Sequence, residues 1–151
     1  MATTTILIVA AEAFPLAKTG GLGDAITGMA RALSERGLTA TILLPAYRGV
    51  ASRLDGPHEV ARLEDLPGGD ARLLAGVCPV SELPFLLLEN DALYNRSGLY
   101  MDDDGREHGD NGLRYAALCH AAVRIARGLP GLPRPTVVHA HDWHAALTPM
   151  L

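Results

Sequence analysis

The chain has 151 residues, of which 48% are hydrophobic and 20% are charged, and its formal net charge is −4. This length fits one domain, and the acidic balance excludes the basic surface that nucleic-acid binding requires. Its apolar runs are shorter than the roughly 18–20 residues of a membrane-spanning helix, and its first residues lack a secretory signal pattern. Two cysteines, Cys78 and Cys119, are too few for a disulfide framework. We therefore expect a cytoplasmic protein with two reduced, buried thiols and no membrane or nucleic-acid partner.

The first part of the chain predicts a strand, a helix and a second strand. The apolar run Thr5–Ala11 is typical of a strand that is covered on both faces of a parallel sheet. Apolar residues then recur at helical spacing from Leu22 to Leu33, with Asp24 as the candidate N-cap and Gly37 as the candidate C′ residue. The next strand is predicted at 39–44, and this order favours a right-handed parallel crossover.

The rest of the chain alternates less regularly. Segment 90–108 is polar and is predicted to be mostly loop with a short helical turn, and long irregular segments are usually functional or mobile. Segment 145–151 resembles the first turns of a helix that should lead to another strand, so we expect the chain to be a fragment of a longer protein. The other predicted elements are strands at 58–63, 71–77, 84–88 and 136–140 and a helix at 111–127.

The glycine-rich stretch Lys18–Asp24 lies between the first strand and the first helix. The first N–H groups of a helix lack intrahelical partners and carry partial positive charge, and glycines let a ligand approach the backbone. Lys18 adds a full positive charge. The spacing matches neither the dinucleotide fingerprint nor the P-loop. The stretch therefore indicates a phosphate or diphosphate site, and the alternative is a structural turn with a surface lysine and with Asp24 only as a helix cap.

A histidine-rich segment, 139–144, follows the last predicted strand. Three histidines and Asp142 could bind zinc, but the aspartate is one position early for the metal-binding pattern of metallo-β-lactamases. Alternatively, this end of a parallel strand is where open α/β sheets bind ligands, and Asp142 would then bind hydroxyl groups. In a third, purely structural interpretation, Asp142 caps the next helix, Trp143 packs in the core and the histidines bind backbone groups.

The polar middle of the chain combines aromatic, amide and acidic side chains, as sugar sites do. Aromatic rings cover the apolar faces of a sugar, and amides and carboxylates bind its hydroxyl groups. The alternative is a solvated acidic loop. The candidate residues are Tyr94, Asn95, Arg96, Tyr100, Asp110, Asn111 and Arg114.

Several motifs in the same order resemble bacterial glycogen synthases and plant starch synthases of the ADP-glucose type. The resemblance spans Ile6–Leu151, and the order of the motifs makes it specific. It rests on the segments 12–24, 43–47, 93–96, 110–115 and 137–144, which read EAFPLAKTGGLGD, LLPAY, LYNR, DNGLRY and VVHAHDWH.

The resemblance implies a GT-B glycosyltransferase, which has two Rossmann-like domains with the active site between them. Residues 1–151 would be the N-terminal part of the first domain, a three-layer α/β unit with a mostly parallel sheet, and the C-terminal nucleotide-sugar domain would be absent. The full enzyme would transfer glucose from ADP-glucose to the non-reducing end of an α-1,4-glucan with retention. It would need no metal and no cofactor, since ADP-glucose is a substrate.

The resemblance also implies a role for individual residues. The catalytic histidine and the donor-binding residues of the family would lie beyond Leu151, so the isolated chain is predicted to be inactive. The family usually has alanine where this chain has Gly23, a change that we expect to be tolerated. The implied substrate-binding residues are Lys18, with Gly20 and Gly21, at the diphosphate, Asp24 at glucose or the acceptor, and Tyr100, Asn111, Asp142 and His141 in the acceptor cleft.

Two other functions stay open at this stage. The chain could be a non-catalytic module that binds an α-glucan or a nucleotide, in which case glucan affinity would survive Lys18→Ala and fall with Asp142→Ala. It could also be a metal-dependent hydrolase built on His139, His141 and His144.

Overall fold

The computed structural model describes residues 4–151. It contains one sheet of six strands, four helices and two short 3₁₀ turns, at Ala51–Arg53 and Thr148–Met150. The strands are β1 (Thr5–Val9), β2 (Thr39–Pro45), β3 (Asp55–Leu63), β4 (Ala71–Val77), β5 (Pro84–Glu89) and β6 (Val137–Ala140). The helices are α1 (Gly21–Glu35), α2 (Asp91–Tyr94), α3 (Asn111–Arg127) and α4 (Asp142–Ala145).

The sheet is mixed, with the strand order β3-β4-β5-β2-β1-β6. The four strands from β5 to β6 are parallel to one another, whereas β4 runs antiparallel to both of its neighbours. A parallel connection needs a dozen or more residues, and the links 64–70 and 78–83 are too short for one. The α/β class is confirmed, and the prediction of a mostly parallel sheet holds for the four strands β5, β2, β1 and β6.

The centre of the sheet is covered on both faces. Ile8 and Val9 in β1 and Ile42 and Leu43 in β2 are fully buried, although neighbouring residues point to opposite faces. Helix α1 links β1 to β2 towards one edge of the sheet, and α3 lies in the connection from β5 to β6 towards the other. Right-handed crossovers in opposite directions place these two helices on opposite faces, which produces three layers.

Most element boundaries agree with the sequence, and the ends of two helices do not. Helix α3 and strand β4 have the predicted bounds, and Gly37 has the positive φ of 80° expected after a helix. The prediction that Asp24 caps α1 is wrong, because the helix begins at Gly21 with Gly20 as its N-cap. The predicted helix at 145–151 is instead the end of α4 followed by a 3₁₀ turn.

Two expectations about composition can be compared with the structure. Within residues 4–151, no helix is both long and apolar enough to cross a membrane. Cys78 and Cys119 are buried free thiols, as predicted.

Candidate functional site

A cleft of about 530 Å³ lies at the carboxyl ends of β1 and β6. The chain leaves β1 for β2 on one side and returns to β6 on the other side, so this is a topological switch point of the sheet, where α/β proteins bind ligands. The walls are the start of α1, part of segment 100–107, the start of α3 and the residues of α4.

Glu12 organises the glycine-rich turn from inside. Its side chain is almost fully buried, and its carboxylate accepts hydrogen bonds from the backbone N–H groups of Thr19 (3.0 Å) and Gly20 (3.3 Å). The hydroxyl groups of Thr19 (2.8 Å) and Tyr100 (2.7 Å) donate to its other oxygen. Burial raises the pKa of this carboxyl, but the hydrogen bonds lower it more, so the net pKa lies below the ordinary value. The N–H of Gly20 is therefore committed to an internal carboxylate, and the first turn of α1 is the part of the stretch that faces the cleft.

The glycines of this turn differ in what surrounds them. A Cβ atom at Gly20 or Gly21 would have no heavy atom within 4 Å, so both positions face open space at the cleft. At Gly23 a Cβ would lie 3.2 Å from Cγ of Lys18 and 3.4 Å from the carbonyl oxygen of Ala17. Within the described residues, steric crowding therefore disfavours a side chain at position 23, whereas positions 20 and 21 have room for one.

Lys18 and Asp24 form an ion pair on either side of the glycine-rich turn, and neither is among the residues that line the cleft, although Gly20, Gly21 and Leu22 between them are. Nζ of Lys18 lies 2.7 Å from Oδ2 of Asp24, and the two side chains are 39% and 58% exposed. The prediction had treated Asp24 as a helix cap or a sugar ligand. The structure places it in the first turn of α1, where it holds the lysine that the sequence assigned to a diphosphate.

Tyr100 belongs to an aromatic cluster that forms one wall of the cleft. Its ring stacks on His144, with 4.8 Å between the ring centroids and 20° between the planes, and it lies 6.4 Å from the ring of Trp143. Burial and the hydrogen bond to Glu12 raise the pKa of the Tyr100 hydroxyl. Trp143 is 54% exposed, so the interpretation that packed it in the core is wrong. The cluster combines a hydrogen-bonded phenol with an exposed indole face.

Asn111 lines the cleft, but its amide is largely used within the protein. It donates to the backbone oxygen of Tyr100 (3.0 Å) and accepts from Arg114 (2.7 Å). Arg114 is fully buried and also donates to the backbone oxygens of Leu93 and Leu99, both at 2.7 Å. Its guanidinium lies 5.6–6.0 Å from the centroids of three tyrosine rings, those of Tyr47, Tyr94 and Tyr115. Arg114 thus holds the loop in place and cannot bind a sugar directly, contrary to the sequence interpretation.

The other residues of the polar middle lie away from the cleft walls. Tyr94 is fully buried and donates to the backbone oxygen of Arg114 (2.6 Å). Arg96 and Asp110 bind each other through two contacts of 2.6 Å, and the hydrogen bond from Arg96 lowers the pKa of the Asp110 carboxyl. Asn95 accepts a hydrogen bond from Arg48 (3.2 Å). These side chains are structural, and the acidic loop contributes only its flanks to the site.

The histidine-rich segment divides into two parts. His139 and His141 lie at the end of β6 with 3.1 Å between Nδ1 and Nε2, and burial followed by the charge of His139 lowers the pKa of His141. His144 instead points into the aromatic cluster. Within residues 4–151 no three His, Cys, Asp or Glu side chains are grouped closely enough to hold a metal ion, so the triad of the hydrolase hypothesis does not converge.

Asp142 lines the cleft in an unusual backbone conformation. Its φ is 62°, which is uncommon for a residue with a side chain, and its carboxylate accepts a hydrogen bond from the N–H of Trp143 (2.6 Å). The residue before it, His141, is the N-cap of α4, so the alternative that Asp142 caps this helix is wrong. The backbone turn directs Asp142 and Trp143 to the same cleft.

A second cavity, of about 300 Å³, lies at the opposite end of the sheet. It is lined mainly by apolar groups at the starts of β1, β2 and β5 and by Leu132, Pro133 and Pro135. Ligand sites combine an apolar lining with a few convergent polar groups. The cleft has such groups, and for this reason we assign the site to it.

Sequence reasoning overlooked two residues of this region. The role of Glu12 had no local signal, because its partners are seven to 88 positions away in the chain. The sequence interpretations treat His144 as a metal ligand, as a donor to a sugar or an anion, or as a partner of backbone groups, and none of them places its ring in an aromatic cluster.

The family comparisons agree with these observations. Residues 5–151 match the family model described as the starch synthase catalytic domain. A glycogen synthase of Bordetella petrii is 57% identical over 151 residues, and one of Bordetella bronchiseptica is 61% identical over 155 residues, and both alignments cover all of this chain. A solved structure, the catalytic domain of Starch Synthase IV from Arabidopsis thaliana bound to ADP and acarbose, matches with a TM-score of 0.79 over 97% of this chain. Its sequence identity is 24%, so this similarity shows the fold alone.

The chain spans only part of these relatives. It covers 29% and 30% of the two Bordetella proteins and 29% of the Arabidopsis chain. The family match extends over nearly the whole chain and confirms the resemblance drawn from the sequence motifs. The chain belongs to the family of starch synthase catalytic domains.

Proposed function

We propose that this chain forms the acceptor-side wall of a glycogen synthase active site. The longer protein transfers glucose from ADP-glucose to the non-reducing end of an α-1,4-glucan with retention of configuration. It acts as a GT-B enzyme whose nucleotide-sugar domain follows this unit in the chain. The relatives at 57% and 61% identity, both named glycogen synthase, support this activity.

The open space above Gly20 and Gly21 is the observation that carries the proposal. Nothing within 4 Å would oppose a side chain there, yet both positions have glycine at the start of α1 and face the cleft. A bound diphosphate would fill that space and accept hydrogen bonds from the first N–H groups of the helix. Lys18 would exchange Asp24 for the diphosphate, since both partners of this pair are partly exposed. Positive charge held in this way stabilises ADP as it leaves.

The opposite wall suits a glucan. The exposed face of Trp143 covers the apolar C–H groups of a sugar ring, and Asp142 accepts hydrogen bonds from its hydroxyl groups. Tyr100 and Asn111 also belong to this wall. Their polar groups already form hydrogen bonds within the protein, so their main role is to hold the wall in place. The Arabidopsis catalytic domain was solved bound to ADP and acarbose.

The proposal is tested by measuring ADP release from ADP-glucose in the presence of glycogen. A longer chain that continues into the second domain should turn over, its Lys18→Ala variant should lose most activity, and residues 1–151 alone should show none. Turnover by the 151-residue chain would contradict the division of the site between two domains. A longer chain that binds glucan without any ADP release would instead be a binding module.

A further inference from the structure

His144 is buried against the cleft without any hydrogen bond to its ring. The side chain is 4% exposed, and within residues 4–151 neither Nδ1 nor Nε2 has a partner. Buried polar groups are nearly always hydrogen-bonded, and an unpaired one costs about 1–3 kcal/mol. A phenylalanine would fill the same space without this cost, so the imidazole requires an explanation.

The ring of His144 is held on three sides by aromatic residues. It stacks on Tyr100 with 4.8 Å between centroids, meets Tyr115 edge-on at 4.8 Å and lies 4.0 Å from the ring of Trp143. The Tyr100 hydroxyl donates to Glu12, and Glu12 accepts the N–H of Thr19 in the glycine-rich turn. His144 is thus the first member of a contact series that reaches from α4 to the start of α1.

We propose that His144 is a positioning residue, whose imidazole stacks on Tyr100 and holds the Tyr100 hydroxyl directed at Glu12, so that the position of Tyr100 changes with the charge of the imidazole. The inference rests on the proposed function only in that Tyr100 then belongs to the glucan wall. Cleft geometry would accordingly depend on pH while the rest of the fold does not.

The groups that face His144 decide the direction of this effect. Glu12 precedes the glycine-rich turn and Asp142 begins α4, and both carboxylates favour a charged imidazole, but burial disfavours it more and lowers the pKa of His144. From α3, Tyr115 packs its ring at 74° to the imidazole and Cys119 donates to the backbone oxygen of His144, and within residues 4–151 no acceptor is hydrogen-bonded to the ring nitrogens. The neutral form is therefore favoured in the folded protein, and its contribution to stability declines as the pH falls below the ordinary histidine pKa of about 6.5.

The experiment uses Trp143, which is the only tryptophan of the chain, together with fluorotyrosine NMR. A protonated imidazole beside Trp143 should quench its fluorescence in a step centred below pH ~6.5. In the same pH range the ¹⁹F resonance of Tyr100, assigned by its loss in Tyr100→Phe, should shift. His144→Phe keeps the stacked ring, so it should fold and should lose both transitions.

His141 provides the matched control, because burial and His139 also lower its pKa. His141→Gln should keep both transitions. A fluorescence step without a shift of the Tyr100 resonance would mean quenching alone and would overturn the proposal, as would persistence of the Tyr100 shift in His144→Phe. No ligand is used, so these results are independent of whether the cleft binds ADP or glucan.

Discussion

Two cationic side chains lie close to the cleft, and their surroundings are opposite. Arg114 is fully buried and donates to two backbone oxygens and one amide oxygen. Lys18 is 39% exposed and, among residues 4–151, its ion pair is with the exposed carboxylate of Asp24 beside the glycine-rich turn. A buried cation with fixed acceptors maintains a structure, whereas an exposed cation with one exchangeable partner can bind a ligand. Both side chains are positively charged, but burial gives Arg114 a structural role, whereas exposure allows Lys18 to bind a ligand.

The largest expected effect is on the buried side of this comparison. Arg114→Met should lower the free energy of unfolding by about 2–5 kcal/mol, because each buried acceptor that loses its donor costs about 1–3 kcal/mol. Urea unfolding measures this change. The matched control is Arg124→Met on the same helix, where the exposed guanidinium donates to the backbone oxygen of Glu64 and a change within about 0.5 kcal/mol is expected. Equal losses in the two variants would contradict a special role for Arg114.

The next effect is expected at Glu12, whose carboxylate links Tyr100 to the glycine-rich turn. Glu12→Gln should cost about 1.5–3 kcal/mol at neutral pH, because the carboxylate accepts hydrogen bonds from Thr19, Gly20 and Tyr100. The lowered pKa of Glu12 means that this stability is present above the ordinary glutamate pKa and is lost as the pH falls through the folded value. The difference between the wild-type protein and the variant should therefore shrink in acid, and a difference that is independent of pH would contradict the assignment.

A smaller effect on stability is expected at the ion pair of Lys18 and Asp24. Lys18→Ala and Asp24→Asn should each change the free energy of unfolding by less than about 1 kcal/mol, since exposed ion pairs contribute little. Binding should separate the two variants. Lys18→Ala should weaken ADP binding about tenfold, which corresponds to about 1.4 kcal/mol, while Asp24→Asn should not weaken it. Calorimetric titration with ADP measures the affinity of both variants. Equal weakening would show that Asp24 contacts the ligand and is not merely the partner of Lys18 in the unliganded protein.

The smallest effect is expected at Gly23. Alanine should favour the helix by about 0.4–1 kcal/mol through the unfolded state, and the contact of its Cβ with the flexible Lys18 side chain should offset part of this gain. Thermal unfolding should thus change little, in line with the expectation that alanine is tolerated here. A loss above about 2 kcal/mol would mean that Lys18 and the backbone oxygen of Ala17 cannot adjust to the added Cβ, and it would contradict the expectation that alanine is tolerated.

The fold was largely predictable because its signals are local. Uninterrupted apolar runs indicated β1 and β2, and the helical spacing indicated α1 and α3. The antiparallel direction of β4 had a signal that the sequence prediction did not use, since the links 64–70 and 78–83 are too short for a parallel crossover. The order of the strands depends on tertiary packing and has no local signal. The start of α1 was missed since Gly20 acts as N-cap without any side-chain hydrogen bond.

The location of the site could be predicted from the sequence, but the hydrogen-bond and ion-pair partners of its side chains could not. The ends of β1 and β6 carry the motifs 18–24 and 139–144, and parallel strands bring such ends together. The partner of a side chain depends on the tertiary structure, so the sequence could not separate Arg114 from Lys18 or assign Glu12 to the turn. For the same reason it grouped three histidines that the structure divides between β6 and the aromatic cluster.

The most direct measurement of the central claim is ligand mapping by ¹H–¹⁵N NMR on the 151-residue chain. ADP should shift the backbone N–H resonances of Gly21 and Leu22, and Lys18→Ala should reduce these shifts. A maltooligosaccharide should shift the indole N–H of Trp143 and the backbone of Asp142. Shifts confined to the apolar cavity at the opposite end of the sheet, or the same residues responding to both ligands without any effect of Lys18→Ala, would contradict the account.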